Sequence, residues 1–376
     1  MKRKKSLFLV VGSMVVLGFL VTCAYAQGRK TISLTEAVEL GLKEGNAFKI
    51  ATLSLQEEEV AYKQSKANLL LQPSVLSELE LENSWRSAQR DFEVTKSEIA
   101  LQIEELYYNQ LKAERSLKLA QENLVRAQKQ LETIQTKFTL GTVAKIDVLQ
   151  SELEVENAQL AVKEAEANLS VAQTQLSTYL TGNPNQTFNL STQLVFQPVD
   201  FDLERCLNHA LQNRPEIKDR EDTFGLRQKQ VEVTKTPYYP PLEVEKAKAL
   251  LALARVQLED TKNSIILEVK QKFAQFITAL ESVPVAEKSR EIARENLNVA
   301  QARFDAGVLT AVDLLDAQNN LYEAENNYLQ AIFNYNMSKA QFYQALGINV
   351  TEREKYSAQL TKPKETPQPE EGKKEE

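Results

Sequence analysis

Along most of this chain, apolar residues recur at alternating intervals of three and four. Between Trp85 and Leu140 there is no Gly and no Pro, and Glu, Gln, Lys, Leu and Ala dominate. A single helix of about 84 Å is therefore allowed at the helical rise. Its positions Leu117, Ala120, Leu124, Ala127, Leu131, Ile134 and Phe138 form the narrow stripe of a left-handed coiled coil, which needs a partner along its length. The partner stripe follows Gly141 and runs through Val148, Ser151, Val155, Ala158, Val162, Ala165, Leu169, Ala172, Leu176 and Tyr179. Large and small residues mostly alternate along it, which favours close approach of the two helices.

The same pattern occurs twice. The stretch Lys137 to Leu149 recurs as Arg303 to Leu315 at an offset of 166. The return stripe repeats in register as Leu314, Ala317, Leu321, Ala324, Tyr328, Ala331, Tyr335, Ser338, Phe342 and Ala345. The openings match as well, Leu34 to Val38 against Leu203 to Leu207. Such self-similarity marks a duplicated supersecondary unit. Gly141 and Gly307 fall between a Phe-containing helix end and a new helix start, where a residue tolerant of positive φ ends a helix most easily. Asp147 and Asp313 follow early in the return helices, where a carboxylate suits the positive helix end. The expected fold is thus all-α, two long antiparallel coiled-coil hairpins, each with one tight tip.

The N-terminus begins with four basic residues, Lys2, Arg3, Lys4 and Lys5, followed by an apolar run from Leu7 to Val21 and by Ala24-Tyr25-Ala26. This is the order of a secretory signal peptide, with the mature chain starting near Gln27. An uncleaved anchor and lipidation of Cys23 are the alternatives; Thr22 directly before that Cys is a poor match to a lipobox. The expected organisation is a signal peptide over 1–26, a first repeat over 27–182, a linker over 183–202 with a short strand near Gln193–Phe196, and a second repeat over 203–347. Residues 348–376 are a charged, Pro-containing tail expected to be disordered. Pro284, inside the rising helix of the second copy, is expected to kink it.

Composition narrows the function. Loss of the four basic residues takes the net charge from −7 to −11. That balance argues against nucleic acid and anionic lipid as main partners, and favours cationic cargo or a basic partner. His209 is the single histidine and Cys206 the single cysteine after cleavage. His-based triads, multi-His metal sites and an internal disulfide are thereby removed. With no Gly-rich phosphate loop and no nucleophile elbow, the sequence points to a protein that is not an enzyme and carries no cofactor.

Phe-x-x-Gly followed six residues later by Asp, the run Asp313-Leu314-Leu315-Asp316-Ala317-Gln318, the Ala/Tyr-rich return helix and the closing Ala345-Leu346-Gly347 resemble the repeat signature of TolC-type outer-membrane efflux proteins. The resemblance covers nearly the whole chain after residue 26. It implies a homotrimer whose helices close into a hollow tube. It also implies tips that meet a periplasmic adaptor (a membrane fusion protein) and an inner-membrane transporter, in passive efflux or type I secretion. The tips would be Leu140-Gly141-Thr142 and Ala306-Gly307-Val308. Acidic pore rings would fall at Asp313 and Asp316, with Asp147 in the other copy, although Gln150 stands where Asp316 would repeat. For Asp147 and Asp313, service as helix-start residues remains the simpler reading.

The resemblance fails in the membrane part. It implies two strands per half between the second and third helices, and two spanning strands with a loop need about 22 residues. Only Gln72 to Ser84 and Thr236 to Pro241 are open for them. Ser77 to Glu82, with its Glu/Leu alternation, is the one candidate for a strand remnant, and its Glu face would be costly against lipid. Spanning strands are accordingly expected to be reduced or absent, with the protein exported to the cell envelope, in the outer membrane or the periplasm. Two functions stay open: an efflux conduit component, and a barrel-less coiled-coil scaffold or adaptor without transport activity.

Overall fold

The computed structural model describes residues 30–71 and 73–361. The expected signal segment, Cys23 and the Pro-containing end from 362 lie outside the described residues. After a short strand β1 (Lys30–Ile32), the first half runs α1 (Leu34–Glu44), α2 (Asn46–Leu69), α3 (Val75–Thr139) and α4 (Lys145–Thr181). Strand β2 (Phe188–Leu190) follows. The second half repeats the order with α5 (Leu203–Asn213), α6 (Pro215–Thr234), α7 (Pro241–Asp305) and α8 (Ala311–Ala345). A 3₁₀ turn (Val350–Glu352) and α9 (Arg353–Leu360) close it. Both rising helices, α3 and α7, are 65 residues long, which carries the duplication into three dimensions.

The four long helices lie side by side in the order α4, α3, α8, α7, with α2 on α3 and α6 on both α7 and α3. All ten stripe positions named for each return helix are buried or half-buried. The two largest apolar cores sit midway along the layer, where α1, α5 and the linker wrap the long helices. One gathers Ile103, Tyr107, Leu176, Leu180 and Phe188. The other gathers Phe201, Phe276, Tyr335 and Phe342, whose rings lie 5.1–5.9 Å apart where they pair around Phe276 and Phe201. Buried tyrosines also satisfy linker backbone. The Tyr107 hydroxyl donates to the Ile32 carbonyl at 3.1 Å, and that of Tyr335 to Gln197 at 2.5 Å.

Three expectations are corrected. The linker strand lies at Phe188–Leu190, where it pairs in parallel with β1. Residues 193–196 alternate because Leu194 and Phe196 pack on the cores, Phe196 4.9 Å from Tyr335, without a strand partner. The Glu/Leu alternation at Ser77 to Glu82 belongs to α3, which starts at Val75 with the Ser74 hydroxyl accepting from the Ser77 amide at 3.3 Å. Glu and Leu are strong helix formers, and a cap decides the matter. Residues 348–361 are not a free tail: Ile348 and Leu360 are fully buried. The buried Glu104 accepts two 2.7 Å bonds from Arg353, which fixes α9 on α3. Pro284 lies inside the continuous helix α7, on its exposed side.

Candidate functional site: the hairpin tips

Both tips close with the same backbone device. Gly141 and Gly307 have φ of 75° and 74°, in the left-handed region that favours glycine. The Gly141 amide donates to Phe138 and the Thr142 amide to Lys137; likewise Gly307 donates to Phe304 and Val308 to Arg303, all at 2.9–3.0 Å. These bonds satisfy the last carbonyls of α3 and α7. Leu140, Thr142, Ala306 and Val308 are all exposed at the two extremities.

The return helices start on their acids. Asp147 accepts from the Ala144 amide at 2.8 Å. Asp313 accepts from the Thr310 hydroxyl at 2.6 Å, while its own amide donates to that hydroxyl at 3.2 Å. Each Asp is therefore a capping residue. Asp313 and Asp316 also line one open groove between α7 and α8, about 460 Å³ in volume, with Asn296, Asn320 and Glu323. Asp147 is on the other hairpin and is not part of it. Gln150 turns its Oε1 into the protein, so the acidic groove belongs to the second tip alone.

Burial separates the tips. Phe304 is 2% exposed, in a cluster with Ile134, Ala311 and Leu314 that joins the two hairpins. Lys137 of the first hairpin donates to the Phe304 carbonyl at 2.6 Å and lies 3.8 Å from its ring centroid. Phe138, expected in the seam, is instead 42% exposed. Although Phe304 stands on the edge helix α7, it is covered from both hairpins, by Ile134 of α3 and by Ala311 and Leu314 of α8, and Phe138 of α3 lies outside that cluster.

Sequence reasoning missed two buried ion clusters. Glu325, 7% exposed, meets Arg126 of α3 at 3.1 Å and Arg294 of α7 at 3.5 Å. Glu104, with Arg353, is the other. The available signal was a carboxylate inside a second apolar stripe, Leu321, Glu325, Leu329, Ile332 on α8, because a charge is buried only when paired. Near Arg353, burial and then the guanidinium charge hold Lys339 below its usual pKa. Cys206 and His209 are structural. Burial, then Asp202, pushes the Cys206 thiol up to about 12, and His209 packs 4.9 Å from the Tyr356 ring. Among the described residues no cluster of three or more His, Cys, Asp or Glu is placed to hold a metal ion. No described helix is long and apolar enough to cross a membrane.

Comparison with known proteins agrees with this architecture. Outer membrane protein TolC of Escherichia coli is 28% identical over 105 residues, 28% of this chain, so the match spans about a fifth (21%) of TolC. The cobalt-zinc-cadmium resistance protein CzcC of Cupriavidus metallidurans is 22% identical over 276 residues, 64% of this chain and 66% of CzcC. The crystal structure of the Campylobacter jejuni CmeC outer membrane channel superposes with a TM-score of 0.68 at 15% identity, over 87% of this chain and 89% of that one, which shows a shared fold. The family model for outer membrane efflux proteins matches residues 81–182 and 242–348, more than half of the sequence and both hairpins. With two matched hairpins, matched tips and the same helical layer, this chain belongs to the outer membrane efflux protein family.

Proposed function

We propose that this chain is the conduit of a passive export assembly in the cell envelope, a homotrimer that takes cargo at its tips from a periplasmic adaptor and an inner-membrane transporter. One observation supports this reading above the others: the four-helix layer has two uncovered edges, and both are apolar. On α4, Leu149, Leu153, Leu160 and Val171 are exposed at coiled-coil spacing. On α7, Val285, Ile292 and Val299 are exposed one heptad apart. Apolar seams of this length mark a contact, and two different edges on one chain pair head to tail, which closes a ring of copies. In such a ring the tips project together, with Leu140 and Val308 as contact points. Asp313 and Asp316 repeat as threefold carboxylate rings that attract cations. A cationic cargo fits the acidic balance of the chain and the metal resistance named for CzcC. The protein does no chemistry of its own in this scheme; energy comes from the transporter.

The short elbows support a second reading, an envelope scaffold without transport. Five residues join α2 to α3 and six join α6 to α7, against the roughly 22 of a spanning hairpin. Deleting the gene in its host and measuring accumulation of cationic dyes and divalent metals separates the two. The conduit reading expects accumulation to rise on deletion, to fall with the wild-type gene, and to stay high with the tip variant L140D/V308D, which still assembles. Equal accumulation in all three strains, with the protein present, leaves the scaffold.

A further inference from the structure

We propose that the two elbows, at the end opposite the tips, form a lipid-contact surface that seats the protein on a phospholipid bilayer without crossing it. Among the described residues, the four most exposed large apolar side chains are Tyr238 at 94%, Leu71 at 82%, Leu70 at 80% and Leu242 at 76%. Three lie on these two turns, and Leu242 follows on the first turn of α7. The elbows also share one end of the molecule. Arg90 of α3 pairs with Asp219 and Asp222 of α6, and Arg227 lies 3.8 Å from Glu80. Beyond that link α3 runs back to Val75 and α6 runs on to Thr234, in the same direction and for similar lengths.

The shape and chemistry select lipid. Pro73, Pro237, Pro240 and Pro241 stiffen the chain where Leu71 and Tyr238 stand exposed, and Leu70 lines a cleft. Between α2 and α3 the first elbow opens a cleft of about 270 Å³, with Leu69, Leu70, Val75 and Leu81 as its apolar lining and Glu78 and Glu82 beside Lys66. It is wide enough for a stretch of acyl chain. At its rim Lys66 sits 3.1 Å from the Tyr62 hydroxyl, which places an ammonium and a phenol where a headgroup phosphate would lie. Tyrosine and lysine over leucine is the side-chain order of a membrane interface. Neither turn has room for a spanning strand pair, so contact of this end with a bilayer falls to side chains on the turns themselves. The inference rests on the family and on this geometry, and not on the conduit reading.

The test uses the full secreted chain with phosphatidylcholine vesicles carrying bromine on their acyl chains, in a W85F background. Tryptophan emission of L71W and Y238W is expected to fall at least twofold, while that of L140W, at the tip, stays unchanged. No quenching at 71 and 238, or equal quenching at all three positions, overturns the proposal. The quadruple variant L70S/L71S/Y238S/L242S changes only exposed side chains and is expected to melt like the wild type while losing at least tenfold in vesicle flotation. Its N-terminus is that of the wild type, so any membrane affinity there is common to both. Flotation equal to the wild type also overturns the proposal. Neither readout involves transport, so each reading can fail alone.

Discussion

The Gly141 tip and the Gly307 tip share their glycine, their capping bonds and their acid, yet one buries its phenylalanine and the other leaves it half in water. Local structure follows the repeated sequence, because turn and cap depend on a few neighbouring residues. Burial follows place in the layer. Phe304 is covered by Ile134 of α3 and by Ala311 and Leu314 of α8, whereas Phe138, on the inner helix α3, is 42% exposed, and α4 keeps Leu149, Leu153, Leu160 and Val171 exposed at the edge of the layer. A duplicated sequence therefore yields an unequal pair.

The comparison can be broken by substitution, most strongly at the phenylalanines. In a monomeric background F304A is expected to cost about 3–5 kcal/mol of unfolding free energy, as for large-to-small changes in packed cores. F138A should cost under about 1 kcal/mol, the scale of surface changes; urea midpoints of the pair would show equal losses if the tips were equivalent. The glycines sharpen the opposite half. G141A and G307A both force a Cβ into left-handed backbone, at about 1–2 kcal/mol each. Here the account expects matched losses in thermal unfolding, and a difference above roughly 1 kcal/mol would show that the caps are not alike. The smallest effect belongs to K137M, which removes one hydrogen bond, one cation–ring contact and a 3.9 Å ion pair with the exposed Asp305, and should cost about 1 kcal/mol. Placed in F304A, where the ring is gone, K137M should cost less. Full additivity would mean that the lysine acts without Phe304.

Much of this was legible in the sequence. The three-four stepping gave both hairpins, and the offset between Gly141 and Gly307 gave both tips, because helix pairing and chain reversal depend on short-range pattern. The acids were harder. Asp147 and Asp313 carry the same cap signal, but only the structure separates the groove that holds Asp313 and Asp316 from the first tip, since that depends on which helices neighbour each other. Glu325 and Glu104 were passed over for the same reason: a carboxylate inside an apolar stripe is explained only by arginines far along the chain, at 126 and 353. Phe138 was misplaced because its stripe is real but its last position, beside the tip, is left 42% exposed. Residues 348–361 were misread because the charged composition of the end masked Ile348 and Leu360, two apolar anchors.

The most direct test of the open-edged layer is the native mass of the chain from Gln27, by light scattering on a size-exclusion column, alongside the edge variant L149D/L153D. The account predicts three times the protomer mass for the wild type and one protomer, still helical, for the variant. A wild-type monomer, or a trimer that the two aspartates leave intact, would contradict it.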